Sequence, residues 1–205
     1  MIGIIDYGMG NLRSVYNALD YIGQDAELIT DAARLPDYER LILPGVGAFT
    51  NAMNNLRSRG FEAGIKSHVE SGKPFLGICL GMQLLASRGV ESGDTTGLDI
   101  IPGDVVPMEL GPQFPTPHVG WNNVDLSYKH PLFAGVKNNI DFYFVHSYHF
   151  VTLDPKAVLG ITDYGGPFNS IVASGSVVGV QFHPEKSQQG GLAILENFAT
   201  WDGKC

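Results

Sequence analysis

Cysteine is scarce in this chain of 205 residues, which carries only Cys79 and Cys205. Two thiols cannot build a disulfide framework, so the expected setting is a reducing one, the cytoplasm. Basic residues are few too: 13 Lys and Arg stand against 21 Asp and Glu, for a formal net charge of -8. They are scattered, which excludes nucleic acid as an expected partner, because neutralising phosphates takes clustered cations. No apolar run approaches the roughly 20 residues that cross a bilayer. The stretch from Met1 to Asp6 is too short, and lacks the basic flank, to read as a signal peptide. There is no internal repeat, low-complexity tract or linker, so one domain over residues 1–205 is expected.

A hydrophobic fraction of 44% supplies the core, and its spacing changes along the chain. In the first half, short apolar runs at 2–5, 27–30, 41–43 and 74–79 read as buried strands. Leu12, Val15, Tyr16, Leu19 and Ile22 recur at helical spacing, as do apolar positions over 61–69. A helix carrying Met82, Leu84 and Leu85 is expected directly after Cys79. Strands alternating with helices predict βαβ units and a parallel sheet. In the second half, runs at 105–106, 119–124, 142–151 and 158–162 follow one another without helical patterns. Those at 171–173 and 177–182 flank Ser174-Gly175, a hairpin signal. Gly190-Gly191 then opens a final helix over 192–201. The predicted fold class is α/β, a flavodoxin-like or Rossmann-like sheet with a parallel core, flanking helices and added antiparallel strands.

The chemistry concentrates at Gly77-Ile78-Cys79-Leu80-Gly81. A strand ending on a nucleophile between two glycines, with a helix after it, is the nucleophile-elbow pattern with sulfur for oxygen. The glycines are expected where a Cβ would clash in the sharp turn. The helix start is expected to favour a thiolate and to offer backbone N–H groups, that of Leu80 included, to an oxyanion. A lone cysteine is more commonly a buried structural one, so the elbow needs a base. Gln181-Phe182-His183-Pro184-Glu185 provides it. Pro184 disfavours helix at His183, and in an extended segment Glu185 lies on the same side as His183, placed to orient the imidazole. Pro44-Gly45-Val46-Gly47 ends the third strand at the carboxyl edge, where a second oxyanion donor could come from, although a plain strand-to-helix turn fits as well.

Other patterns carry less. Gly8-Met9-Gly10 lacks the third glycine of a dinucleotide fingerprint, since position 13 is Arg. His146 and His149, three apart in a strand pattern, are expected on opposite sides and share no metal. His118 and His130 read as surface or structural residues, and Cys205 as uninvolved. No metal or cofactor is expected.

These blocks together resemble the class I glutamine amidotransferases, and within them the glutaminase subunits of imidazole glycerol phosphate synthases. The likeness runs from Asp6-Tyr7-Gly8-Met9-Gly10-Asn11 through 44–49 and 77–83 to Pro117-His118-Val119-Gly120-Trp121-Asn122, 143–148 and 181–187. It implies a triad of Cys79, His183 and Glu185, hydrolysing glutamine to glutamate and ammonia. The oxyanion hole would come from Leu80 and from Gly45, Val46 and Gly47, after a peptide flip in that segment. Gln83, Ser147 and Tyr148 would hold glutamine. Asn11, Trp121, Tyr143 and Lys186 would face a (β/α)₈ cyclase in a heterodimer, into which ammonia passes to make imidazole glycerol phosphate and AICAR in histidine biosynthesis. The run Leu84-Leu85-Ala86-Ser87-Arg88-Gly89 and the pair His149-Phe150 are similar instead to paralogues supplying ammonia for amidine formation on surface-polysaccharide sugars. A peptidase or γ-glutamyl hydrolase on the same fold and a non-catalytic regulatory subunit are the remaining alternatives.

Overall fold

Four apolar runs of the first half become strands β1 (Ile2–Ile5), β2 (Ala26–Ile29), β3 (Arg40–Gly45) and β4 (Phe75–Cys79), all paired in parallel. The computed structural model describes residues 1–126 and 130–204; Cys205, given no role by the sequence, lies outside them. Helix α1 (Leu12–Tyr21) buries Val15, Ala18 and Leu19, the stripe that its spacing predicts. Helix α2 (Phe49–Ser58) has no counterpart among the expected elements. Asn51, Asn54 and Asn55 depress its helix propensity, yet Phe49, Ala52, Met53 and Leu56 form a fully buried stripe that overrides it. Helix α3 (Phe61–Glu70) follows as expected.

After Cys79 the expected helix is only one turn, α4 (Leu80–Gln83). It stops because its next carbonyls are taken from outside. Leu98 N–H donates to Leu84 O, and Ile100 and Ile101 N–H both donate to Leu85 O. The chain then extends into β5 (Arg88–Gly89), β6 (Thr95–Thr96) and β7 (Gly103–Pro107).

The remaining strands are β8 (His118–Leu126), β9 (Ile140–His146), β10 (Tyr148–Thr152), β11 (Val158–Asp163), β12 (Pro167–Ser174) and β13 (Val177–Val180). The run expected as one strand over 142–151 is therefore two, broken at Ser147. The hairpin holds: Ser174 pairs with Val177 across Gly175, whose φ of 55° suits a tight turn. Helix α5 (Gln188–Thr200) begins before the expected Leu192 and takes Gly190 and Gly191 inside it. A Cβ on Gly191 would collide with the Pro184 carbonyl, so glycine lets α5 close onto the preceding turn.

Among the described residues the main sheet has nine strands in the order β2-β1-β3-β4-β13-β12-β11-β8-β9, parallel from β2 to β13 and antiparallel beyond. A second sheet runs β10-β7-β5-β6. Strand β1 shows how the main sheet is buried on both faces. Ile2 and Ile4 join Val15, Leu19, Ile194 and Phe198 of α1 and α5, whereas Ile5 joins Phe49, Leu56 and Ile65 of α2 and α3. Phe150 and Val105 of the second sheet complete the latter cluster. This is the predicted α/β class, and both the elbow and the His183 segment leave the sheet at adjacent strands.

Candidate active site

Cys79 ends β4 between β3 and β13, with Gly45 as its register partner. Its φ and ψ of 54° and -111° are strained for a residue with a Cβ, as a nucleophile held on a sharp turn requires. The flanking glycines are demanded by packing. A Cβ on Gly77 would sit 2.6 Å from Gly81 O, and one on Gly81 would overlap the Leu43 carbonyl. Because α4 is a single turn, the expected macrodipole shrinks to the free N–H groups of that first turn, beginning with Leu80.

His183 leaves β13 extended, at φ -99° and ψ 95°, as Pro184 dictates. Glu185 reaches it differently from the expected strand alternation: Pro184–Lys186 is a 3₁₀ turn that folds the carboxylate back. His183 Nδ1 lies 2.8 Å from Glu185 Oε1, with both side chains 2% exposed or less. The backbone is pinned as well, His183 N–H donating to Tyr143 O and Ser187 Oγ to His183 O. Burial alone would lower the imidazole pKa, but the nearby Cys79 sulfur and the Glu185 carboxylate outweigh it and push it up to about 10. With Nδ1 spent on Glu185, Nε2 is the nitrogen that remains, buried and without a hydrogen-bond partner.

Above Cys79 opens a cavity of about 450 Å³. Val46, Gly47, Leu80, Gln83, Ser147 and Tyr148 all line it, so most of the expected oxyanion and glutamine-holding residues meet in one place. Gly45 lies just behind the wall, where a Cβ would come within 2.6 Å of the Tyr7 hydroxyl. Gly47 has a φ of 101°, a conformation in which a peptide can turn over without a Cβ penalty. Three residues at the site have no role in the sequence reading. Glu91 contributes a carboxylate to the cavity wall and accepts from Phe49 N–H at 2.7 Å. Its surroundings, Val90 to Asp94, carry no pattern that flags it. Tyr7 is fully buried with an unpartnered hydroxyl, its pKa raised by burial and by Cys79. Gln181 stands two residues before His183, a spacing that puts both on one side of an extended segment and is legible in principle.

At the surface, Trp121 and Tyr143 are register partners across β8 and β9, with ring centroids 6.0 Å apart. Lys186 Nζ lies 5.6 Å over the Tyr143 ring, and Trp121 is 47% exposed. Asn11 stands at the start of α1 with its Oδ1 accepting from Ser14 Oγ, and α1 packs against the turn bearing Lys186. Trp121, Tyr143 and Lys186 thus cluster beside His183, whose ring centroid lies 6.5 Å from that of Tyr143. Of the other histidines weighed in the sequence, His118, His130 and His146 are buried. His118 is buried against His146, and His130 Nδ1 accepts from Leu132 N–H. His146 and His149 lie on different strands, β9 and β10.

The sequence profile of the class-I glutamine amidotransferases matches residues 3–201. The chain belongs to that family. It is 49% identical over 200 residues to the imidazole glycerol phosphate synthase subunit HisH of Rhodopirellula baltica, covering 98% of this chain and 97% of that one. It is likewise 49% identical to the HisH subunit of Caldanaerobacter subterraneus subsp. tengcongensis, over 97% of each. Among solved structures, PurLQS from Thermotoga maritima superposes with a TM-score of 0.78 at 20% identity, over 96% of each chain, a likeness of fold. This amidotransferase is therefore an enzyme of the HisH type. Among its described residues, no helix is long and apolar enough to cross a membrane.

Proposed function

We propose that the chain hydrolyses glutamine through Cys79, His183 and Glu185 and passes the ammonia to a (β/α)₈ cyclase in histidine biosynthesis. The observation that carries this reading is the strained Cys79 at the cavity floor beside a buried imidazole hydrogen-bonded to a buried carboxylate. Cys79 Sγ attacks the side-chain carbonyl carbon of glutamine, and its oxygen becomes an oxyanion held by Leu80 N–H. A second donor comes from the segment of Gly45, Val46 and Gly47. The raised pKa of His183 keeps it protonated at neutral pH, ready to protonate the leaving nitrogen as the C–N bond breaks. Water then attacks the thioester, His183 takes its proton, and glutamate leaves with Cys79 restored.

Recognition of glutamine follows from charge. Gln83 Nε2 is committed to Tyr148 O and Gln181 Oε1, which leaves its oxygen to accept from the α-ammonium, beside the Glu91 carboxylate. Ser147 and Tyr148 close the opposite wall. Trp121, Tyr143 and Lys186, with Asn11, form the face for the cyclase in a heterodimer, and ammonia leaves past His183 without meeting bulk water. Near-full-length identity to HisH subunits supports the histidine pathway over the polysaccharide paralogues.

The test is glutamate release from glutamine by the chain alone, and by the chain with a histidine-pathway cyclase and its nucleotide substrate. Strong stimulation, abolished by Cys79→Ala, is expected. Undiminished hydrolysis by Cys79→Ala would overturn the catalytic assignment. An absence of stimulation, with Cys79 still labelled by a glutamine-analogue electrophile, would transfer the ammonia to another acceptor.

A further inference from the structure

The backbone carbonyl of Tyr148 sets the polarity of a buried hydrogen-bond chain that ends on the nucleophile. A carbonyl oxygen only accepts, so both groups facing it must donate: Gln83 Nε2 at 2.9 Å and His146 Nδ1 at 2.9 Å. The second hydrogen of Gln83 Nε2 meets Gln181 Oε1 at 3.0 Å. An amide whose oxygen is held there must turn its NH₂ the other way, and Gln181 Nε2 lies 3.8 Å from Cys79 Sγ. Turning Gln181 over would set nitrogen against nitrogen at Gln83 and an oxygen lone pair against the sulfur. On the other branch, His146 Nε2 must accept, so His118 Nδ1 donates to it at 3.0 Å. Burial holds both imidazoles neutral, with pKa values lowered to about 3 and about 4, so this order of donors and acceptors stands at neutral pH.

We infer that Gln181 is a positioning residue for the nucleophile, its amide N–H donating to Cys79 Sγ and favouring the sulfur anion. The inference rests on the reading of Cys79 as nucleophile. Besides the His183 imidazole, two groups face the sulfur. Val145 O, 3.9 Å away, can only accept from the thiol, whereas Gln181 Nε2 can only donate to the sulfur. His183 Nε2 lies beside the sulfur, which helps raise the imidazole pKa, but it does not meet hydrogen-bond geometry among the described residues. Gln181 is a donor with hydrogen-bond geometry on Sγ, and its own oxygen is locked by Gln83. Complete burial of Gln181 excludes water from replacing it.

The experiment uses a Cys205→Ser background, so that Cys79 alone reports, and follows alkylation by iodoacetamide as a function of pH by intact mass. Gln181→Met keeps length and removes the donor. Its alkylation rate at neutral pH is expected to fall about tenfold, as for loss of a hydrogen bond to a charged group, and its profile to move to higher pH. A role confined to packing would leave that profile where it was. Gln83→Met leaves Gln181 present but free to turn over, and is expected to shift the profile the same way by less. An unchanged profile in a cooperatively melting Gln181→Met overturns the inference. Should that variant fail to fold, an unchanged profile in Gln83→Met overturns it instead. Failure of a glutamine-analogue electrophile to label an otherwise alkylatable Cys79 would refute the glutaminase reading, a separate outcome.

Discussion

Replacing Glu185 by Gln removes one charge and almost no volume, which isolates what the carboxylate does. The amide oxygen introduced by Glu185→Gln would still accept from His183 Nδ1, so the tautomer survives. What disappears is a negative charge whose oxygen lies 2.8 Å from the imidazole, in a pair that is almost fully buried. At an effective dielectric constant near 20, two unit charges about 4 Å apart interact by about 4 kcal/mol. At 1.36 kcal/mol for each pKa unit, the His183 pKa falls by about three units toward the ordinary imidazole value. Wild-type His183, raised to about 10, stays protonated well into the alkaline range. The variant should therefore lose its alkaline limb first, with glutamine turnover near pH 6 far less affected than turnover near pH 8. Glu185 Oε2 adds a second, independent effect. It is buried without a partner, so the amide nitrogen of the variant has nothing to donate to, at a cost of about 1–3 kcal/mol in stability. The assay is the pH profile of partner-stimulated glutaminase turnover, with melting followed alongside. An alkaline limb coinciding with that of the wild type would refute the electrostatic role assigned to Glu185.

Three buried imidazoles make acid destabilising. His68, His118 and His146 have pKa values lowered by burial to about 4, 4 and 3, so below about 6.5 the unfolded chain binds more protons than the folded one. The stability they withhold should total about 6 kcal/mol by pH 5, read as a fall in urea midpoint from pH 7; an equal midpoint would contradict their neutrality. His183 acts in the opposite sense, its contribution being full below about 6.5 and lost as pH rises through about 10. Gly81→Ala drives a Cβ into the Leu43 carbonyl and should cost at least about 3 kcal/mol, or about 6–12 °C in melting temperature. Gly175→Ala, at φ 55° with open space around it, should cost only about 1–2 kcal/mol, and equal melting of the two variants would refute the packing argument.

What could be read from the chain in advance was whatever local chemistry decides. The glycines around Cys79, the proline after His183 and the Ser174-Gly175 turn each act through neighbouring atoms, and each appears where expected. The first parallel strands followed from apolar runs for the same reason. What escaped is decided by distant partners. The α2 helix stands on burial that outweighs its asparagines, and α4 ends early because the segment 98–101 claims its carbonyls. The break at Ser147 has no sequence signal, since the residues on either side are equally apolar and strand-forming. Gln83 and Gln181 are 98 residues apart, and nothing in either neighbourhood announces that they meet.

The break at Ser147 divides labour between two parts of the protein. The sulfur and imidazole are carried by the central sheet, on adjacent strands whose spacing the backbone ladder fixes. Tyr148 begins the rim strand of the other sheet and, with Ser147, lines the cavity that also holds the sulfur. The Tyr148 carbonyl ties the two sides together, because it holds Gln83, which in turn orients Gln181 on the sulfur.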